Sequence, residues 1–118
     1  MRAKTITVAC LALAALAGCG QPVPADKAAY VGGWQSTSPE MNLLIMHDGR
    51  VEYLRKEGAR STSVNAPLQG FIGDDFEVGA GPMKTRFAVS APPHAVGADW
   101  KMTVDGVELT RVSGDRST

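Results

Sequence analysis

The stretch that decides the fold is "WKMTVDGVELTR", residues 100–111. At its centre stands Asp105-Gly106, a residue pair preferred in the two-residue type I′ turn of a hairpin. The turn fixes the register and places six side chains on one face, as the opposed pairs Val104–Val107, Met102–Leu109 and Trp100–Arg111. We expect this face to be core and the other to be solvated, since a one-residue slip would bury Lys101 and Glu108.

Short β-prone runs separated by turn signals extend back from this hairpin to Tyr30. The runs are Gly33–Thr37, Met41–Met46, "RVEYLRKEG", "LQGFIG", "DFEVG" and "MKTRFAVS", with "ARSTSVN" leading to Pro67. The two faces of "RVEYLRKEG" are mixed, which favours a strand near an edge or an open end. "APPHAVGAD" is predicted to be a long loop because adjacent prolines cannot both donate to a ladder. About eight short strands result, which predicts an all-β domain, either a small antiparallel meander barrel or a sandwich.

The first strand carries Gly32-Gly33-Trp34, a G-x-W pattern. It resembles the first-strand signature of the calycin superfamily, which includes lipocalins, fatty-acid-binding proteins and avidin-like proteins. The resemblance implies an up-and-down barrel closed at one end by the tryptophan, with a basic residue of the last strand across its ring. Arg111 stands in that place, so Trp34 and Arg111 are the implied structural closure pair. Alternatively, Trp34 is a core aromatic of a sandwich and Arg111 a surface charge.

The N-terminal region has the pattern of an export signal. Two basic residues precede an apolar run, Ile6–Gly18, that is shorter than the ~20 residues of a membrane-spanning helix. The run ends in Leu16-Ala17-Gly18-Cys19, which resembles the lipobox of bacterial lipoproteins. The resemblance implies that residues 1–18 are a signal peptide, that cleavage follows Gly18, and that the thiol of Cys19 carries the lipid.

This interpretation divides the chain and sets the composition of what remains. Residues 19–29 are predicted to be a lipid-anchored tether, residues 30–112 the all-β domain, and residues 113–118 a disordered tail. Cys10 leaves with the signal, so we expect no disulfide in the domain. Of 12 basic residues the signal removes two, which leaves 10 against 12 acidic residues. A mildly acidic chain without a basic patch argues against a nucleic-acid partner.

Motifs for catalysis or metal binding do not emerge from the sequence. The two histidines, His47 and His94, lack ligand spacing, and no serine stands in a nucleophile motif. We therefore predict no enzymatic activity, no catalytic or metal-binding residue and no cofactor.

Two functions remain open. The first is a lipid-anchored interaction module of the cell envelope, one form of which is an inhibitor of an exported hydrolase. Such a module would bind the membrane through acyl chains on Cys19, and its second partner would be an envelope protein. The segments Pro92–His94 and Gly79–Pro82 are candidate contact loops. By analogy with the sorting of lipoproteins in enteric bacteria, which the lipobox resemblance invites, Gly20 rather than an aspartate after Cys19 favours an outer-membrane location facing the periplasm.

The alternative function is a lipocalin-like carrier of a small apolar ligand. It requires a cavity inside the barrel, lined by apolar side chains such as Phe71, Phe76, Phe87, Met102 and Leu109. The short predicted strands leave little interior volume beyond the side chains that fill it.

Overall fold

The computed structural model describes residues 20–112, which form one nine-stranded antiparallel sheet preceded by a short 3₁₀ helix. The predictions for residues 1–19 and 113–118 lie outside the described residues. The helix is Ala25–Tyr30. The strands are β1 Gly32–Thr37, β2 Glu40–Ile45, β3 Arg50–Glu57, β4 Arg60–Ile72, β5 Asp75–Ala80, β6 Met83–Phe87, β7 Val89–Val96, β8 Asp99–Val104 and β9 Val107–Val112.

The sheet is a meander whose first and last strands are neighbours. The strand order is β6-β5-β4-β3-β2-β1-β9-β8-β7, so the ladder between β1 and β9 joins the two ends of the domain. The sheet curls into a half-barrel, and its two edges are the consecutive strands β6 and β7. The predicted all-β class is confirmed.

The hairpin of β8 and β9 has the predicted register. Val104 pairs with Val107 and Met102 with Leu109. Asp105 and Gly106 have φ values of 49° and 81°, as a type I′ turn requires. Trp100 departs from the prediction, because it is 39% exposed and lies outside the core.

The predicted loop at "APPHAVGAD" is wrong, because most of it belongs to strand β7. The strand is at the edge of the sheet, where a proline without an N–H can face solvent at no cost to the ladder. Its register with β8 shifts between Val89 and Ala91 and again between Ala91 and His94. Pro92-Pro93 falls inside the second irregularity, so the chain stays extended although neither proline donates.

Of the two alternatives for the strand from Arg50, a place near an edge is wrong. Strand β3 pairs with β2 on one side and with β4 on the other. Val51 and Tyr53 point into the core, while Leu54 on the opposite face is only half-buried. The mixed pattern arises because apolar side chains stand on both faces of this interior strand.

The core fills the concave face of the sheet. Its largest fully buried side chains are Trp34, Phe76, Phe87, Met41, Leu43, Ile45, Leu68, Met102 and Leu109. The rings of Phe76 and Phe87 stack with centroids 5.1 Å apart, and Tyr53 packs edge-on against Phe87 at 4.9 Å. The curl of the sheet therefore encloses a packed core.

The segment predicted to be a tether is held against the sheet from Gly20 onward. The N–H of Gln21 donates to the carbonyl of Leu68 at 3.1 Å, and the N–H of Val23 donates to that of His47 at 3.2 Å. The side chain of Val23 is buried in the core cluster. Within residues 20–112, no helix has the length and apolarity needed to cross a bilayer.

Candidate functional site

Trp34 and Arg111 lie directly opposite each other on β1 and β9. The guanidinium carbon is 4.8 Å from the centre of the Trp34 ring and 5.4 Å from that of Trp100, so the cation lies against two indoles. Trp34 is fully buried and its Nε1–H donates to the carbonyl of Tyr30 at 3.0 Å. Arg111 donates to the carbonyl of Ala29, and burial lowers its pKa. The pair therefore fastens the 3₁₀ helix to both terminal strands.

Tyr30 fastens the other side of the helix. Its hydroxyl donates to the backbone carbonyl of Asp74, in the turn between β4 and β5, at 2.9 Å. Lys27 lies 5.5 Å from the ring centre of Phe71 and 4.0 Å from the carboxylate of Asp74. Burial, and then the charges of Asp74 and Asp75, raise the pKa of Tyr30 to about 12.

This raised pKa makes stability depend on alkaline pH. Because the pKa lies above the ordinary tyrosine value of 10, its contribution is full below about pH 10 and is lost as pH rises toward 12. We expect Tyr30→Phe to be less stable at pH 8 by about 1 kcal/mol, through the lost hydrogen bond. The difference between variant and parent should shrink between pH 10 and 12 in urea unfolding. An unchanged difference across that range would contradict the account.

The histidines are not brought together. His47 is exposed in the turn between β2 and β3, and His94 is exposed on β7, with three strands between β2 and β7. The Nδ1 of His94 lies 2.8 Å from the carbonyl oxygen of Pro92. In the part of the chain that the structure describes, no group of three or more His, Cys, Asp or Glu side chains is arranged to hold a metal ion. Cys19 lies outside that part.

The side chains that a carrier would need as cavity lining pack against one another or against the core. Phe76 lies 6.0 Å from Phe71 and 5.1 Å from Phe87, measured between ring centres. Met102 and Leu109 are fully buried. These residues form the hydrophobic core of the concave face.

A groove of about 660 Å³ lies on the opposite, convex face, across β1 to β4. The side chains that alternate with the core residues line it: Gln35, Asn42, Leu44, Glu52, Leu54, Ser63, Asn65 and Val112. One row runs straight across the ladders, since Gln35 pairs with Asn42, Asn42 with Leu54, and Leu54 with Ser63. The groove thus joins three amides, a hydroxyl and one carboxylate to three half-buried aliphatic side chains.

Gly33 forms part of the groove floor. It lies between Leu44 on β2 and Val112 on β9, and it has no side chain to fill the space between them. A Cβ atom at this position would approach Cγ2 of Val112 to 3.0 Å. The second glycine of the G-x-W pattern therefore contributes to the convex face, while Trp34 contributes to the concave one.

Sequence reasoning missed this groove. Its lining residues come from four paired strands, and Gln35 and Ser63 are about 30 residues apart in the chain. The last strand contributes Val112. The available signal was the apolar content of the outward phase of β3, where Leu54 stands. Taken alone, that signal indicates a strand near an edge or an open end.

Fold and site together define a small curled antiparallel sheet with a packed concave face and a mixed polar and apolar groove on its convex face. No protein-family model matches the chain, and comparison with curated proteins and with solved structures also found no match.

Proposed function

We propose that this protein is a lipid-anchored interaction module of the bacterial cell envelope. In this proposal Cys19 carries the acyl chains, and the convex groove binds a protein partner. The observation that carries it is the distribution of space around the sheet: side chains fill the concave face, whereas the groove of about 660 Å³ lies outside.

The chemistry of the groove suits a protein surface. Protein interfaces combine apolar contact with hydrogen-bonding groups, and they are depleted of charge at their centre. Leu44 and Leu54 supply apolar area, Gln35 and Asn42 supply both donors and acceptors, and Glu52 is the one acidic side chain among the lining residues. The packed concave face supports this function over the carriage of a small apolar ligand.

The proposed lipid anchor determines how far from the membrane the groove lies. Ten extended residues would reach ~35 Å from the bilayer. Because Gln21 and Val23 are already hydrogen-bonded to the sheet, that reach is not available to the domain. Acyl chains on Cys19 would hold the sheet close to the membrane surface, facing the periplasm if the outer membrane is the site.

Photo-crosslinking tests the groove with two neighbouring positions. Ser63 lines the groove, and Thr62, the preceding residue on the same strand, points to the opposite face; both are exposed. A photoreactive residue at 63 should give a discrete protein adduct in envelope preparations, and the same residue at 62 should not. An adduct that contains an exported hydrolase would specify the inhibitor form of the proposal. Equal adducts from both positions, or none from 63, would contradict it.

A further inference from the structure

The two edges of the sheet are chemically different. Strands β6 and β7 follow each other in sequence, joined through Ala88, yet they lie at opposite ends of the strand order and share no ladder within residues 20–112. A sheet edge presents unpaired backbone N–H and C=O groups, which can pair with an additional strand.

The β7 edge is blocked. Its ladder with β8 is irregular at two places, and Pro92 and Pro93 lack the N–H groups that an additional strand needs. Bulges and prolines are common features that protect edges against pairing. Strand β6 has neither between Met83 and Phe87.

The backbone of β6 presents two residues on its free side. The two-residue turn Gly81-Pro82 closes on the pair Ala80–Met83, which is hydrogen-bonded in such a hairpin. By alternation along the ladder, the N–H and C=O groups of Lys84, Arg86 and Ala88 point away from β5. The side chains of Lys84 and Arg86 are also exposed.

The backbone groups of Ala88 already have partners, whereas Lys84 and Arg86 pair with β5 alone among the described strands. The N–H of Ala88 donates to the carboxylate of Asp105 at 2.9 Å, and its carbonyl accepts from the N–H of Asp105 at 2.8 Å. Within residues 20–112 no strand lies beyond Lys84 and Arg86. Asp105, in the turn between β8 and β9, thus occupies the backbone groups of Ala88 just after the end of β6. The rest of the β6 edge stays open.

Charge selects the occupant of this edge. Two β6 strands from two copies of the chain could pair antiparallel with the pairing centred on Lys84, Thr85 or Arg86. Each of these registers places a cation of one strand directly opposite a cation of the other, which is destabilising. Arg86 is paired with Asp75 at 2.9 Å. Among the described residues no carboxylate lies within ion-pair distance of Lys84. A second copy is therefore disfavoured, and a strand with a carboxylate opposite Lys84 is favoured.

We propose that β6 is a strand-addition site that takes an extended acidic segment of another protein. The segment pairs with the backbone of Lys84 and Arg86 and sets a carboxylate against the ammonium group of Lys84. This surface is separate from the convex groove, so the inference stands whether or not the groove binds a partner.

Fluorescence anisotropy tests the inference with a labelled peptide of alternating threonine and glutamate and the full chain in detergent. We expect saturable binding that Lys84→Pro weakens at least about tenfold, because proline removes an outward N–H while leaving the ladder with β5 intact. A matched peptide with lysine at each glutamate should bind at least about tenfold more weakly than the glutamate peptide.

Charge reversal separates recognition from loss of fold. Lys84→Glu should exchange the preference, weakening the glutamate peptide and strengthening the lysine peptide, which an unfolded variant cannot do. Arg60→Glu makes the same reversal of charge at an exposed position, the first residue of β4, and should leave both affinities unchanged. The inference is overturned if the glutamate peptide fails to bind, if Lys84→Pro and Lys84→Glu bind it as the parent does, or if the chain forms a stable dimer through β6.

Discussion

Replacing Trp34 by alanine is expected to lower the free energy of unfolding by about 3–5 kcal/mol, the usual cost of removing a buried tryptophan. The indole is fully buried, and it holds the carbonyl of Tyr30 and the guanidinium of Arg111. Its removal leaves a cavity and releases the helix from the sheet. Since domains of this size are stable by about 5–15 kcal/mol, much of the variant should be unfolded under mild denaturing conditions.

Trp100→Ala is the matched control in urea unfolding. Trp100 contacts the same guanidinium, with 5.4 Å between the guanidinium carbon and the ring centre, but it is 39% exposed. We expect a loss of about 1 kcal/mol or less, the size of an exposed cation–π contact. Similar losses of unfolding free energy in the two alanine variants would contradict the account. They would show that the contact of Arg111 with Trp34 is no more important to the fold than its contact with Trp100.

The sequence determined those parts of the fold that depend on local turn chemistry. Asp105-Gly106 sets the register of β8 and β9, and alternation then assigns Met102 and Leu109 to the core. The place of Arg111 opposite Trp34 came from the resemblance to calycins, because no local pattern links residues 77 positions apart. The structure places the two side chains in contact.

The remaining features depend on which strands are neighbours, and single-strand patterns do not carry that information. Pro92-Pro93 breaks a ladder only if the strand has partners on both sides, and β7 has one. Leu54 indicates an edge when β3 is considered alone, but it contributes to the groove once β2 and β4 are placed beside it. The groove and the open edge of β6 both emerge only from the complete strand order.

The second large effect is expected at the anchor. Cys19→Ser removes the thiol that the lipobox resemblance assigns to acylation, so palmitate labelling should be abolished. Because acyl chains contribute ~0.8 kcal/mol per buried CH₂, their loss should also either release the protein from the membrane fraction or stall it as an uncleaved precursor. Metabolic labelling followed by fractionation measures both quantities.

Cys10 supplies the control for this experiment, since it is the other cysteine of the chain. It lies within the apolar run Ile6–Gly18, which is predicted to belong to a signal peptide, so Cys10→Ser should leave labelling and membrane association unchanged. Palmitate that persists in Cys19→Ser would refute the lipobox interpretation.

The central claim is that an anchored sheet presents its convex face to a protein partner, and crosslinking in living cells tests it most directly. The photoreactive residue is placed at 63 or at 62, in chains with and without Cys19→Ser. We predict a discrete adduct from position 63 that weakens or disappears when Cys19 is replaced, and no such adduct from position 62. An adduct pattern that is the same at both positions, or the absence of any adduct at 63 in the anchored chain, would contradict the claim.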